Sequence, residues 1–181
     1  LKHGINSKNN FFNLESIKEI KTFHTQTDII CAANVICHIP DLVDLFESVD
    51  KCLNKNGLFI FEEPYLGSMF EKTSYDQIYD EHIFMFSASS VQKICLLFDM
   101  ELIDILKQET HGGSLRYVCA RKNVYKVKTN VNYFIDKEKK NNLDNIHSCF
   151  EFKKNCENSK KNLKEKLLKL KEDNKKICGY A

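Results

Sequence analysis

The sequence predicts an α/β fold built on a mostly parallel sheet with an antiparallel edge. Three observations lead there. Two short apolar runs, Asp28-Ile29-Ile30-Cys31-Ala32-Ala33 and Leu58-Phe59-Ile60-Phe61, flank a segment of helical periodicity. Two further strand candidates, Leu102 to Leu106 and Leu115 to Ala120, are separated by His111-Gly112-Gly113-Ser114. Beyond them, from Asn141 to Lys176, the pattern is helical and rich in lysine.

Each element has a local cause. The first apolar run carries no alternating polar residues, the pattern of a strand covered on both faces of a parallel sheet. Asp41 then offers an N-cap to a helix whose apolar positions are Leu42, Leu45, Phe46, Val49 and Leu53, with Gly57 as its expected stop. The second run follows at once, so strand, helix and strand form a βαβ unit with parallel strands. Ser89 or Ser90 is expected to cap a further helix bearing Val91, Ile94, Cys95 and Phe98 on one face. The pair of strands after it suits an antiparallel edge. In the last stretch Ile146, Phe150, Leu163, Leu167 and Leu170 are spaced for one or two amphipathic helices, whose lysines read as a solvated face.

Composition narrows the function. The 27 Lys+Arg against 25 Asp+Glu leave a formal charge of +2, and only Arg116 and Arg121 are arginines, which argues against a nucleic-acid binder. No run approaches the ~20 apolar residues of a membrane span, and nothing near Leu1 follows a signal-peptide pattern, so a cytoplasmic protein without a membrane partner is expected. The eight cysteines form no C-x-x-C pair, so buried free thiols are expected and no metal ligand set is. Residues 1–121 hold 11 basic and 17 acidic side chains and residues 122–181 hold 16 and 8, which places a domain boundary near Lys122 to Val131. The chain starts at Leu1 without methionine and stops at Gly179-Tyr180-Ala181, just after an Ile177-Cys178 pair that reads like the opening of a strand. A fragment of a longer protein is therefore expected.

Three clusters of polar residues fall just past strand ends, where open α/β sheets bind ligands. The first is Ala33-Asn34-Val35-Ile36-Cys37-His38, in which Asn34 and His38 must be hydrogen-bonded locally or face a ligand. The second comprises Glu62-Glu63-Pro64-Tyr65 and then Tyr75-Asp76-Gln77-Ile78-Tyr79-Asp80-Glu81-His82, the densest group of titratable side chains in the chain. Glu81 beside His82 is placed to fix an imidazole tautomer, as a general base requires. Metal ligation by this cluster is disfavoured, because its ligands are adjacent and not spaced i, i+4. The third is His111-Gly112-Gly113-Ser114-Leu115-Arg116, readable as a plain hairpin loop or as an anion cradle of bare N–H groups, a hydroxyl and a guanidinium.

Taken together the clusters resemble the S-adenosylmethionine-dependent C-methyltransferases of deoxysugar biosynthesis. The motifs that carry the resemblance are Asn34-Val35 with His38, Glu62-x-Pro64-Tyr65-Leu66, Asp76-Gln77-Ile78-Tyr79-x-Glu81-His82 and His111-Gly112-Gly113-Ser114-Leu115-Arg116, in that family's order. The resemblance implies residues 1–121 as the second half of a Rossmann-like class I methyltransferase domain. It implies residues 122–181 as lysine-rich helices leading into a truncated C-terminal α/β domain. It assigns His82, Glu81 and Tyr79 to catalysis, with His82 as base. Ala33, Asn34 and His38 go to the cofactor S-adenosyl-L-methionine. Glu62, Tyr65, His111, Gly112, Gly113, Ser114 and Arg116 go to a nucleotide-linked keto-deoxysugar. The family's zinc module, glycine-rich loop and ribose-holding acid have no counterpart in this sequence, so zinc is expected only outside it and the cofactor site is expected to be incomplete. A noncatalytic α/β interaction module and an O-methyltransferase on the same fold are the alternatives.

Overall fold

The computed structural model describes Gly4 and residues 7–23 and 26–179. In chain order the elements are α1 (Ser16–Phe23), β1 (Thr27–Ala33), α2 (Leu42–Cys52), β2 (Leu53–Pro64), α3 (Leu66–Lys72), α4 (Ala88–Leu97), β3 (Met100–Gln108), β4 (Ser114–Arg121), α5 (Thr129–Lys140) and α6 (Ile146–Glu172). The sheet has the order β1-β2-β4-β3. β1 and β2 are adjacent and parallel, as expected of a βαβ unit, and β4 runs antiparallel to both β2 and β3. Three of the four strands therefore share one direction.

The core lies on one face of this sheet. Phe59 and Phe61 of β2 point there two residues apart, with Tyr117 and Cys119 of β4 beside them. Phe46 of α2 meets both phenylalanines edge-on, at 5.6 and 6.5 Å between ring centroids. Val91 and Cys95 of α4 and Val131 and Ile135 of α5 complete the layer. Each fully buried aromatic here contributes ~1.5–3 kcal/mol from its removal from water. The compositional break at residue 122 falls between β4 and α5, and α5 joins the same core.

Four sequence expectations are corrected. β1 is covered on one face only: Ile30 and Ala32 pack on the core, whereas Ile29 is 55% exposed, because no layer among the described residues covers the face it shares with the exposed Cys31 and Ala33. α2 ends at Cys52 and not near Gly57, since Leu53 already pairs with Thr27 as the first residue of β2. Gly57 instead lies where a Cβ would strike the Leu53 side chain at 2.7 Å. The cap of α4 is Ser87: its hydroxyl accepts from Ser90 N at 3.0 Å while the Ser90 hydroxyl accepts from Ser87 N at 2.9 Å. Ile177 and Cys178 form no strand, and Tyr180 and Ala181 lie outside the described residues.

The lysine-rich stretch is helical as expected, with α5 as an added helix before it. Phe152 is the one core residue of α6, stacked on Phe70 of α3 at 4.6 Å. Ile146, Phe150, Leu163 and Leu167 on the same helix are exposed. Among the described residues no helix is long and apolar enough to cross a membrane.

Candidate active site

The carboxyl ends of β1 and β2 lead into the first two polar clusters. Off the end of β1 the chain turns sharply at Asn34, which adopts a left-handed φ of 52° and donates its N–H to Glu62 O at 2.8 Å. A 3-10 turn over Ile36–His38 follows. It is held by Glu63, whose fully buried carboxylate accepts from Val35 N at 3.1 Å and Ile36 N at 2.7 Å. This places Cys37 inside and the His38 ring outward.

The loop carrying Tyr79, Glu81 and His82 closes over that turn. Ile83 N and Phe84 N both donate to Cys37 O, at 2.9 and 3.3 Å. His38 Nδ1 lies 2.7 Å from Glu81 O, and His82 Nδ1 lies 2.8 Å from Gln77 O. A carbonyl oxygen only accepts, so both Nδ1 atoms carry a proton, and each ring in its neutral form presents a lone pair at Nε2. The Tyr79 hydroxyl sits 2.7 Å from His82 Nε2 and must donate to it. The two imidazole centroids are 5.1 Å apart, and the Tyr79 ring lies 4.0 Å from that of His82. Four residues singled out in the sequence, His38, Tyr79, Glu81 and His82, thus meet in one place. Glu81 contributes its backbone carbonyl, to His38, while its side chain is exposed.

Burial, and then the Glu63 carboxylate, push the Cys37 thiol up to about 12. Desolvation followed by the Cys37 and Glu81 charges raises the Tyr79 phenol above its ordinary value, so it stays a proton donor at neutral pH. Cys37 and Glu63 are the site residues that sequence reasoning missed, since nothing in a Glu-Glu pair tells which carboxylate turns inward.

The third cluster closes on itself. Glu62 and Arg116 are register partners across β2 and β4, and Arg116 donates through Nε at 3.2 Å and Nη2 at 2.8 Å to Glu62 Oε2. Thr110 Oγ1 donates to the other oxygen of Glu62 at 2.8 Å. Ser114, 1% exposed, donates its hydroxyl to Thr110 O. His111 has a left-handed φ of 50°, and Gly112 carries a carbonyl that accepts from Lys72 Nζ. Gly113 combines a φ of 130° with Ser68 Oγ at 2.6 Å from where its Cβ would stand, so only glycine fits. Tyr65 is in the core, 3% exposed, its ring edge-on to Phe134 and its phenol raised by burial and by Glu138.

Residues 2–105 match the family model described as a methyltransferase domain, more than half of the chain. The chain belongs to the methyltransferase domain family. Residues 109–181 match a second model, described as a C-methyltransferase C-terminal domain. The four-stranded open sheet accordingly forms part of a class I methyltransferase fold. Among its relatives is the C-methyltransferase NovU of Streptomyces niveus, 27% identical over 174 residues. That alignment covers 94% of this chain and 41% of NovU, so the chain spans about two fifths of that relative's length.

Proposed function

We propose that this chain is the part of an S-adenosylmethionine-dependent C-methyltransferase that activates a carbon next to a ketone, on a nucleotide-linked keto-deoxysugar. The observation that carries the reading is the His82 imidazole, with Nδ1–H anchored on Gln77 O and the Nε2 lone pair under the Tyr79 hydroxyl. A carbon becomes nucleophilic when a proton beside a carbonyl is removed, and the resulting enolate needs a donor at its oxygen. His82 Nε2 takes that proton when the substrate's C–H displaces the Tyr79 hydroxyl. The freed phenol then donates to the enolate oxygen. The imidazolium keeps its Nδ1–H on Gln77 O, so the ring does not turn during the transfer. Glu81 acts as a positioning residue, holding the His38 ring beside His82.

The edge at Ala33 and Asn34 fits the polar end of the cofactor. Asn34 Oδ1 is buried without a hydrogen-bond partner, at a turn beside exposed Ala33 and Val35. Ala33, Asn34 and, behind them, His38 would hold S-adenosylmethionine, which supplies an electrophilic methyl group on a sulfonium. Holding donor and acceptor carbons close provides much of the rate enhancement. On the substrate side Glu62 and Arg116 fix the wall. His111 and the Arg116 guanidinium face the sugar or its diphosphate, and Gly112, Gly113, the buried Ser114 and Tyr65 form the wall behind them. In this reading residues 1–121 are the second half of the cofactor domain and 122–181 its connection to a further domain.

The test is regiochemical. The protein carrying this chain, given a nucleotide-linked keto-sugar and S-adenosylmethionine labelled with ¹³C at the methyl, is expected to produce a carbon-bound methyl resonance. An oxygen-bound methyl signal supports an O-methyltransferase instead. No product from any keto-sugar, with the protein folded, supports a noncatalytic module.

A further inference from the structure

Cys37, His38 and His82 offer one ligand atom each, all within 4.8 Å of one another. We infer that these three residues form a binding site for a soft divalent cation of the zinc class. The arrangement of the imidazoles is that of metal ligands: each donates Nδ1–H to a backbone carbonyl, Glu81 O or Gln77 O, which fixes the ring and leaves the Nε2 lone pair as the ligand, which on His82 a cation takes over from the Tyr79 hydroxyl. Thiolate and imidazole are the ligands zinc prefers, and three protein ligands leave a fourth position open. With bonds of ~2.3 Å to sulfur and ~2.0 Å to nitrogen, tetrahedral ligands stand roughly 3.6 Å apart, so the residues need to close by about 1 Å.

A second observation points the same way. Glu63 is 0% exposed, its Oε1 alone takes up the backbone N–H groups of the turn, and its carboxylate lies against the Cys37 thiol. Among the described residues Glu63 forms no ion pair, so no cationic side chain offsets this buried carboxylate beside a buried thiol. A divalent ion bound there neutralises the thiolate and the carboxylate together, with Glu63 as the outer partner that orients the ligand. On binding, the Cys37 S–H bond breaks heterolytically, the sulfur pair goes to the metal and the proton passes to solvent. Spacing concealed the site, because Cys37 and His82 lie far apart in sequence and backbone-directed hydrogen bonds, from Ile83 N and Phe84 N to Cys37 O and from His38 Nδ1 to Glu81 O, bring them together.

Where the base assignment above holds, the cation occupies the lone pair of His82 that would accept the proton, so metal binding and methyl transfer exclude each other. The binding itself does not rest on that assignment.

The test is a cobalt(II) titration of the reduced, chelator-treated protein, followed by competition with zinc. One equivalent is expected to produce a thiolate-to-cobalt charge-transfer band in the near ultraviolet, and zinc should bleach it. Cys37→Ser should abolish the band. His38→Asn, a change at a partly exposed ring that leaves the core intact, should weaken cobalt binding at least tenfold, whereas Cys149→Ser should change nothing. Absence of the band in the unaltered protein overturns the site. So does a band that survives both Cys37→Ser and His38→Asn, or one that disappears with an exposed cysteine such as Cys31, Cys149 or Cys178. Methyl transfer that continues at full rate with the zinc site filled would leave the metal site standing and refute His82 as base.

Discussion

Glu62 and Glu63 are neighbours on one strand, yet they serve two different regions. Glu62 turns to the face where Arg116 and Thr110 answer each of its oxygens, and the loop around it satisfies itself down to the Ser114 hydroxyl. Glu63 turns to the core face and holds the turn that carries Cys37 and His38, where a thiol and two imidazoles gather and the Tyr79 hydroxyl engages the Nε2 of His82. Both regions are rich in polar residues, and the sequence marks both. The difference is in unspent bonding capacity: one region has used its donors and acceptors on itself and positions a wall, whereas the other keeps them for a reacting partner or an ion.

That contrast can be broken by substitutions on each side. The largest effect is expected at His82: replacement by asparagine should lower kcat for methyl transfer by ~10²- to 10⁴-fold, the usual cost of losing a general base, with binding of S-adenosylmethionine measured by calorimetry nearly unchanged. Glu63→Ala should come next, as a loss of stability. It strips the acceptor from Val35 N and Ile36 N, and unsatisfied buried donors cost ~1–3 kcal/mol each, read as a lower urea midpoint. Glu63→Gln, which keeps an acceptor oxygen, should recover most of it.

Arg116→Met should have a smaller effect, about 1–2 kcal/mol from leaving the Glu62 carboxylate with Thr110 alone. Its methyl-transfer rate should fall less than tenfold. A rate loss equal to that of His82→Asn would erase the distinction between the two regions. The smallest effect is expected at Asp104 on β3. Burial alone would raise its carboxyl, but hydrogen bonds from Lys128 at 2.6 Å and Asn130 at 2.5 Å outweigh this and hold it below the ordinary value. A depressed folded value means stability that is present above the unfolded pKa of ~3.9 and is lost as pH falls through the folded value. Asp104→Asn should therefore cost less than ~1 kcal/mol at pH 7, because Lys128 is largely exposed, and the difference should vanish in acid denaturation series below the carboxylate range.

Local cues were legible and long-range ones were not. Asp41 capping α2, the strand at Leu58 to Phe61 and the hairpin around Gly112 and Gly113 follow from spacing and turn chemistry, because their causes lie within a few residues. The motif residues His38, Tyr79 and His82 were also marked, but their meeting depends on backbone bonds across the fold. Glu138 shows the limit most clearly. It sits 3% exposed on α5 and accepts from Ala88 N, Ser89 N and the Ser89 hydroxyl at the start of α4, at 2.6 to 2.9 Å. Ser89 was a plausible cap by sequence, yet it donates its hydroxyl to a distant carboxylate and leaves the capping to Ser87. β1 was misread for a related reason: an apolar run looks the same whether or not a neighbour covers its second face.

In the proposed reaction His82 removes a proton from carbon. Exchange of the substrate's α-hydrogen with deuterated water, read by mass spectrometry with no methyl donor present, on a nucleotide-linked keto-sugar, isolates that step. Deuterium incorporation is expected with the unaltered protein, and its loss, by ~10²-fold or more, in His82→Asn. Exchange that continues undiminished in His82→Asn would contradict this role for His82 and pass it to Glu81 or Tyr79.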